Sequence, residues 1–235
     1  MKFKTNISKK RDGEHTIRGV ALSELIEKHS FVECIFLLIR GTFPSKKEEQ
    51  FLNALLVSSI ENGIEAPSIF VPRVSASTGN PMHVALAAGI LSVGERHGGA
   101  AEECAELLIS NDKPEDIVAR SEKNKKPIAG FGHKIYKDED PRATIIYSKA
   151  KEFGLNLKYF EKAYAIEKVL ESRKGKKLPL NIDGALAAGL LALGFKTRVG
   201  KALFVLSRIV GMTAHIIEEQ EQANSYHRLE DTDVL

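Results

Sequence analysis

Four side chains in this sequence suit acid–base and carboxylate chemistry: His97, His133, Arg142 and Asp183. An imidazole can donate, accept or carry a proton near neutral pH. A guanidinium can clamp a carboxylate with two parallel hydrogen bonds. His133 and Arg142 lie in one short stretch that begins at Gly130 and is rich in small residues. This stretch is predicted to face one small anionic substrate, although a purely structural turn explains the same residues.

His97 precedes Gly-Gly, and Asp183 precedes another glycine, so both are predicted at junctions between a loop and a helix. Junctions of this kind ring the clefts of helical domains, so the two side chains can converge with His133. In the alternative interpretation each side chain caps its own helix, which is ordinary for Asp at a helix start. The sequence has no Gly-x-Ser-x-Gly elbow for a serine nucleophile, and its His and Cys spacing predicts no metal site.

The composition argues against several classes of protein. The chain has 235 residues, of which 43% are hydrophobic and 28% charged, with a formal net charge of +3. Aromatic residues are scarce and Trp is absent, which argues against nucleic-acid binding. Cys34 and Cys104 are predicted to be core residues in a reducing compartment. Neither a signal peptide nor an apolar run of eighteen residues is found, so a cytoplasmic protein without a membrane span is expected.

Hydrophobic periodicity predicts a mainly α-helical chain with about ten to twelve helices. Residues 1–16 are expected to form a loose arm, and Pro67 and Pro72 are expected to break the chain. The last helix is predicted from Thr197 to about Asn224, followed by a polar tail. Caps and first-turn prolines predict helix starts at Ser30, Ser45, Asn80, Lys113, Asp140 and Asn181.

The stretch Gly130-Phe-Gly-His-Lys-Ile-Tyr-Lys-Asp-Glu-Asp-Pro-Arg142 resembles the Gly-Phe-Gly-His-Arg-Val-Tyr-Lys-x-x-Asp-Pro-Arg signature of the citrate synthase superfamily. Five further segments resemble blocks of that family in the same order: 17–19, 37–44, 76–79, 97–100 and 208–220. The resemblance spans about residue 17 to the end. The short length and the segments 95–99 and 180–184 look more like citryl-CoA lyase and the C-terminal module of ATP citrate lyase.

This resemblance implies an all-α protein with the citrate synthase fold, in which a large helical domain carries a smaller inserted helical domain. Residues 1–100 and 191–235 would form the large domain. Residues 101–190 would form the small domain, which faces coenzyme A. Closure of one domain on the other would exclude water from the site. A homodimer is also implied.

The resemblance further implies a role for each candidate residue. His97 would hydrogen-bond the carbonyl oxygen of a thioester, and Asp183 would act as the base for the acetyl methyl group. His133 would polarise the ketone of oxaloacetate, or take the hydroxyl proton in the reverse direction. Arg142 and Arg208 would hold the carboxylates of oxaloacetate or of a citryl group.

Other residues are implied for coenzyme A and for the dimer. Contacts to coenzyme A would come from Ile128, Ala129, Gly130, Phe131, Gly132 and Lys137. Arg228 approximately matches the arginine that a dimer partner contributes. The chain departs from the family by having Asn62-Gly63-Ile64 where an Asp-His-Glu segment is usual. One substrate contact is therefore missing, or Arg73 supplies it.

The resulting hypothesis is a citryl-CoA lyase that cleaves citryl-CoA to acetyl-CoA and oxaloacetate through an enolate. A compact citrate synthase or 2-methylcitrate synthase is the first alternative, because the carbon–carbon step uses the same residues in both directions. A coenzyme A-binding or scaffold subunit without catalysis is the second. The thioester would be a substrate, no permanently bound cofactor or metal is expected, and a citryl-CoA synthetase is an expected partner.

Overall fold

The computed structural model describes residues 1–11, 13–222 and 225–234, and for Arg11 the backbone only. Within these residues there are eleven α-helices and one three-stranded sheet. The strands are β1 (Ser8–Arg11), β2 (Glu14–Ile17) and β3 (Val20–Ala21). The helices are α1 (Leu22–Lys28), α2 (Phe31–Arg40), α3 (Lys46–Ser58), α4 (Pro67–Ser77), α5 (Met82–Leu91), α6 (Ala100–Ile109), α7 (Pro114–Asn124), α8 (Pro141–Glu152), α9 (Lys158–Lys174), α10 (Ile182–Ala192) and α11 (Val199–Gln222), followed by a 3-10 turn at Asp231–Asp233.

The predicted helix count is confirmed, but the loose arm predicted over residues 1–16 is wrong where the strands β1 and β2 lie; residues 1–7 are exposed and belong to no helix or strand. β1 and β2 form an antiparallel hairpin, and β3 continues the sheet. The signal for this hairpin is Asp12-Gly13, a two-residue loop sequence that favours a tight turn between strands. The strand residues are too polar for periodicity alone to reveal them.

Several predicted helix starts are confirmed by their hydrogen bonds. Ser30 and Glu33 form a capping box at α2, and Gly41 ends this helix in the left-handed conformation. Ser45 and Glu48 form a second capping box at α3, with backbone-to-side-chain distances of 2.8 and 3.3 Å. These boxes satisfy backbone N–H groups that no helical carbonyl can reach.

Two predictions about prolines are wrong, and one cap differs. Pro67 begins α4 instead of breaking the chain, because a first-turn residue needs no helical N–H bond. Pro72 lies inside α4, where it is buried. Asn80 does not cap α5; its amide instead donates to the Ser75 carbonyl at 3.1 Å. The predicted end of the last helix at Asn224 lies outside the described residues.

Contacts divide the chain into two units, residues 1–54 and 55–235. The first unit contains the sheet, α1, α2 and most of α3. Its apolar core includes Phe36, Phe51 and Leu52, all fully buried. Ser30 donates to Glu49 at 2.6 Å, which ties the start of α2 to α3. The predicted boundaries at residues 100 and 190 remain a prediction.

The second unit contains the remaining helices. Helices α4, α5 and α11 pack on one another, with Ile69 and Met212 in one buried cluster and Ala85 and Ile216 in the next. Helix α10 is buried from Gly184 to Leu191 and packs against α6, α8 and α9. By length and composition α11 could cross a membrane, and 44% of its most apolar window is buried inside the protein.

The backbone of the loop at Gly130 is in direct contact with the backbone at the start of α10. A Cβ atom on Gly130 would lie 2.6 Å from the Cys104 sulfur and 2.9 Å from the Gly184 Cα. A Cβ atom on Gly184 would lie 2.6 Å from the Gly130 carbonyl oxygen. The loop and the helix therefore approach each other to a distance that only two glycines allow.

Lys162 of α9 is expected to stabilise the end of α6. Its Nζ donates to the carbonyls of Leu107 and Ser110 at 3.0 and 2.6 Å, at the C-terminal end of that helix, where carbonyls lack the N–H groups of a following turn. Lys162→Met should lower the free energy of unfolding by about 2 kcal/mol, the scale of hydrogen bonds to a charged donor. Urea unfolding followed by circular dichroism measures this loss. Lys168→Met, an exposed lysine on the same helix, is the control, and equal effects of both variants would contradict the prediction.

Candidate active site

A cavity of about 100 Å³ in the second unit brings together five of the predicted site residues: His97, His133, Arg142, Asp183 and Arg208. Its other lining residues are Ser58, Ser59, Asn62, Gly98, Asn181, Ile182, Leu186 and Phe204. Ligand pockets for drug-sized molecules are usually several times larger. The cavity therefore suits a small acid or the reacting end of a longer molecule.

Hydrogen bonds from Ser68 determine which ring nitrogen of neutral His97 carries the proton. The Ser68 backbone N–H donates to His97 Nε2 at 3.3 Å, and the Ser68 hydroxyl lies 2.8 Å from the same nitrogen. Arg208 Nη1 donates to that hydroxyl oxygen at 3.1 Å, which leaves the hydroxyl hydrogen for His97. Nε2 is thus an acceptor, and the neutral ring carries its proton on Nδ1.

The pKa of His97 agrees with this neutral form. Burial lowers the pKa of His97, and the positive charge of Arg208 lowers it further. In the described residues Nδ1–H has no protein partner and is available to a ligand in the cavity. His97 is held in place by a tight turn in which its backbone exchanges hydrogen bonds of 2.9 and 3.1 Å with Gly94.

His133 is also arranged as a hydrogen-bond donor. Its Nδ1 accepts the backbone N–H groups of Ile135 and Tyr136, both at 3.1 Å. The neutral ring therefore carries its proton on Nε2, which lies 3.3 Å from Arg142 Nη2. Two donors at this distance cannot bond each other. They suit a shared oxygen acceptor from a ligand. Burial lowers the pKa of His133, and Arg142 lowers it further.

Asp140 positions Arg142. The carboxylate accepts from the Arg142 backbone N–H at 3.0 Å, from Nε at 3.0 Å and from Nη2 at 2.9 Å. Its Oδ2 also accepts the backbone N–H of Ile182 at 3.0 Å, at the start of α10. Burial raises the pKa of Asp140, but Arg142 and these N–H groups outweigh burial and hold the pKa below its usual value. A single carboxylate therefore fixes both Arg142 and the helix that carries Asp183.

Asp183 lies in the first turn of α10. Asn181 caps this helix by accepting the N–H groups of Asp183 and Gly184 at 3.0 and 3.2 Å. The alternative interpretation, in which Asp183 caps its own helix, is therefore wrong. Burial raises the pKa of Asp183, opposed by the charges of Arg142 and Arg208. A carboxylate held in this way is a stronger base than an exposed one.

Arg73 and Arg228 lie outside the cavity lining. The Arg73 guanidinium binds Glu219 at 2.7 Å and Glu218 at 2.6 Å, so the geometry does not support a substrate contact in place of the missing histidine. Asn62, which stands in the sequence where the Asp-His-Glu segment is usual, lines the cavity, and its Oδ1 accepts from Arg142 Nη1 at 3.3 Å. Arg228 lies in a separate hollow formed by residues of the tail.

The residues predicted for coenzyme A also lie outside the cavity lining: Ile128, Ala129, Gly130, Phe131, Gly132 and Lys137. The Gly130 carbonyl accepts from the Asn181 N–H at 2.9 Å, and the Gly132 N–H donates to Pro179 at 2.8 Å. These backbone groups therefore hold the loop against the chain before α10. Lys137 is exposed, and its Nζ reaches the His133 carbonyl at 3.2 Å. Their role in binding coenzyme A remains a prediction.

Two residues of the site, Ser68 and Phe204, were missed from the sequence. Ser68, which links His97 to Arg208, is fully buried beside a proline and has no motif of its own. Phe204 lies one helical turn before Arg208, which is the signal that could have found it. Within the described residues no group of three or more His, Cys, Asp or Glu could hold a metal ion. Burial raises the pKa of Cys104 to about 12, which keeps this thiol protonated.

Comparison with known proteins gives a consistent result. The family profile described as "Citrate synthase, C-terminal domain" matches residues 44–230. The chain superposes on the structure of citryl-CoA lyase from Hydrogenobacter thermophilus with a TM-score of 0.92 and 37% identity, covering 99% of this chain and 93% of that one. ATP citrate lyase from Methanothrix soehngenii gives a TM-score of 0.92 over 100% of this chain and 41% of that one, and at 23% identity it shows the fold alone.

A curated relative, 2-methylcitrate synthase from Shewanella oneidensis, is 33% identical over 191 residues. The match covers 78% of this chain and 50% of the relative. The chain thus spans about half the length of the curated relatives it matches, but nearly the whole of the citryl-CoA lyase. These likenesses confirm the citrate synthase fold, which in this chain is mostly helical with one small sheet.

Proposed function

Because the chain belongs to the citrate synthase family, we propose that it is a citryl-CoA lyase, which cleaves citryl-CoA to acetyl-CoA and oxaloacetate. The observation that carries the choice is the likeness to the citryl-CoA lyase structure, with a TM-score of 0.92 at 37% identity, whereas two citrate synthase structures superpose with TM-scores of 0.72 and 0.71 at 28% and 27% identity. The convergence of His97, His133 and Asp183 on one cavity supports an enzyme.

In the cleavage direction the two donors at His133 and Arg142 bind the hydroxyl oxygen of the citryl group. They stabilise the alkoxide, and the hydroxyl proton passes to solvent water. The carbon–carbon bond breaks as the alkoxide becomes the ketone of oxaloacetate, and its electron pair forms the enolate of acetyl-CoA. His97 Nδ1–H stabilises the enolate oxygen, and protonated Asp183 delivers a proton to the carbon. Asp183 then regains a proton from water.

This scheme uses only the first of the two roles expected for His133. A ring whose Nδ1 accepts two backbone N–H groups already carries a proton on Nε2. It can donate a hydrogen bond to the alkoxide, but it has no free nitrogen for the hydroxyl proton. Arg208, fixed by the Ser59 carbonyl at 2.9 Å and by Ser68, is proposed to hold a carboxylate together with Arg142.

The pH dependence tests this assignment of the protons. In the reacting complex the citryl hydroxyl has lost its proton, whereas Asp183 still carries one. This complex has one proton fewer than substrate and enzyme with protonated Asp183, and the same number as substrate and enzyme with ionised Asp183. We therefore expect kcat/KM for cleavage to fall as the pH drops below the raised pKa of Asp183, and not to fall above it. Initial rates from about pH 5 to about pH 9 measure this profile. A fall of kcat/KM on the alkaline side, near neutral pH, would instead show that His133 accepts the hydroxyl proton.

The coenzyme and the partner copy are proposed outside the cavity. The 100 Å³ space holds only the acyl end, so coenzyme A would leave it along residues 128–132 and Lys137.

We infer a homodimer from apolar side chains that are left exposed at same-face spacings on three packed helices: Phe70 and Val74 on α4, Val84 and Leu91 on α5, Val210 and Ile217 on α11. Light scattering after gel filtration tests this state.

Two parallel assays distinguish lyase, synthase and scaffold. The purified protein is given citryl-CoA in one assay, and acetyl-CoA with oxaloacetate in the other. A lyase releases oxaloacetate rapidly from the first and forms negligible free coenzyme A in the second. Free coenzyme A formed at enzymatic rates in the second assay would instead show a synthase, the alternative that the Shewanella relative favours. No reaction in either assay would favour a binding subunit.

A further inference from the structure

The cavity has a polar wall and an apolar wall. His133, Arg142 and Asn62 offer hydrogen-bonding groups on the polar wall. The apolar wall contains Leu186, one turn after Asp183 on α10, and Phe204, one turn before Arg208 on α11. Residues three or four apart on a helix share a face. Leu186 therefore lies beside Asp183, which the proposed reaction assigns to the acyl carbon. Phe204 lies against His97, which the reaction assigns to the thioester oxygen.

Phe204 is held so that its ring cannot move away from the cavity. The ring is 6% exposed and meets the His97 ring edge to face, with centroids 5.9 Å apart. On another side the Arg208 guanidinium carbon lies 4.7 Å from the ring centroid. Behind it, a Cβ atom on Gly98 would lie only 2.5 Å from a ring carbon, so the Gly98 backbone is already in close contact. Displacing the ring would disturb His97, Arg208 or this loop.

We propose that Phe204 sets the length of the acyl group, restricting it to the two carbons of acetyl. The inference rests on the proposed function and names the acyl specificity of the same cavity. A dicarboxylate matches the polar wall, whereas the acyl carbon has no polar group and belongs at the apolar wall. A propionyl group carries one further methyl there, and the fixed ring occupies the space that this methyl needs.

The test compares cleavage of citryl-CoA with cleavage of 2-methylcitryl-CoA. Both substrates release a keto acid, oxaloacetate, and they differ by one methyl group on the acyl carbon. The unsubstituted protein should favour citryl-CoA by about tenfold or more in kcat/KM, the usual discrimination for one methyl group in an apolar pocket. Phe204→Leu should shift the ratio of the two kcat/KM values toward 2-methylcitryl-CoA by about tenfold. The ratio is decisive, because altered support of Arg208 lowers both rates together.

Leu203→Ala is the matched control. Leu203 is buried on the same helix but does not line the cavity, so its variant loses packing without a change in the ratio. If Phe204→Leu does not fold, Phe204→Met serves instead, since a flexible thioether can yield to the added methyl. An unchanged ratio in a folded Phe204 variant overturns the inference alone, as does equal use of both substrates by the unsubstituted protein. Absence of turnover with both substrates overturns the proposed function as well.

Discussion

Asp183→Asn is expected to reduce citryl-CoA cleavage by about 10³-fold or more, because an amide cannot deliver a proton to the enolate carbon. The change preserves shape and removes a carboxylate whose burial is costly, as its raised pKa indicates. The cap of α10 is unaffected, since it comes from Asn181. The melting temperature should therefore be equal to or above that of the unsubstituted protein. Oxaloacetate release under single-turnover conditions measures the loss.

Binding and folding measurements separate this chemical role from a structural one. Calorimetry should give nearly the same affinity for coenzyme A in Asp183→Asn as in the unsubstituted protein. Turnover close to normal in a folded Asp183→Asn would remove this residue from the catalytic set. Loss of both turnover and folding would assign Asp183 a structural role.

Asp140→Asn is expected to have the second-largest effect, although Asp140 touches no substrate in the proposed scheme. The carboxylate is buried and accepts four hydrogen bonds, three of them from Arg142. An amide replaces one acceptor by a donor that faces Arg142 or the Ile182 N–H. We expect a loss of about 3 kcal/mol in the free energy of unfolding, the usual cost of breaking a buried pair. We also expect kcat/KM to fall by about 10²-fold, since Arg142 is no longer held.

Glu139→Gln is the control for Asp140→Asn, because Glu139 is the adjacent exposed carboxylate and bonds only to the Thr144 hydroxyl among its described side-chain contacts. It should change stability and turnover little. A positioning role for Asp140 predicts that KM for citryl-CoA rises in Asp140→Asn even at temperatures where the variant is fully folded. An unchanged KM with reduced stability would leave Asp140 a purely structural role.

The sequence was sufficient for features that depend on local chemistry. The Ser30 and Asp140 caps and the Ser45 capping box follow from residue types at fixed spacings, and the structure has each of them. Hairpin β1–β2 was missed because polar strands carry no periodic signal, although Asp12-Gly13 was present. Pro72 was misjudged because the packing of α4 against α5 and α11 outweighs the one hydrogen bond that a proline removes.

The sequence predicted which residues form the site better than it predicted the hydrogen bonds that set their proton positions. The family resemblance identified His97, His133, Arg142, Asp183 and Arg208, and these side chains do line one cavity. Their proton positions depend on Ser68 and on the backbone of residues 135 and 136, contacts across the fold or within a loop that spacing cannot encode. Arg73 was plausible by charge alone, but the glutamates of α11 already bind it.

The paired glycines at 130 and 184 constrain how this sequence can change. A side chain at either position would strike the backbone of the other, or the Cys104 sulfur. Neither glycine can compensate for a substitution of its partner, because both already lack a side chain. A library randomised at both positions and selected for a folded protein should therefore return glycine at each, with no permitted pair of larger residues. At this junction between loop and helix, the fold therefore tolerates neither a single substitution nor a pair of substitutions.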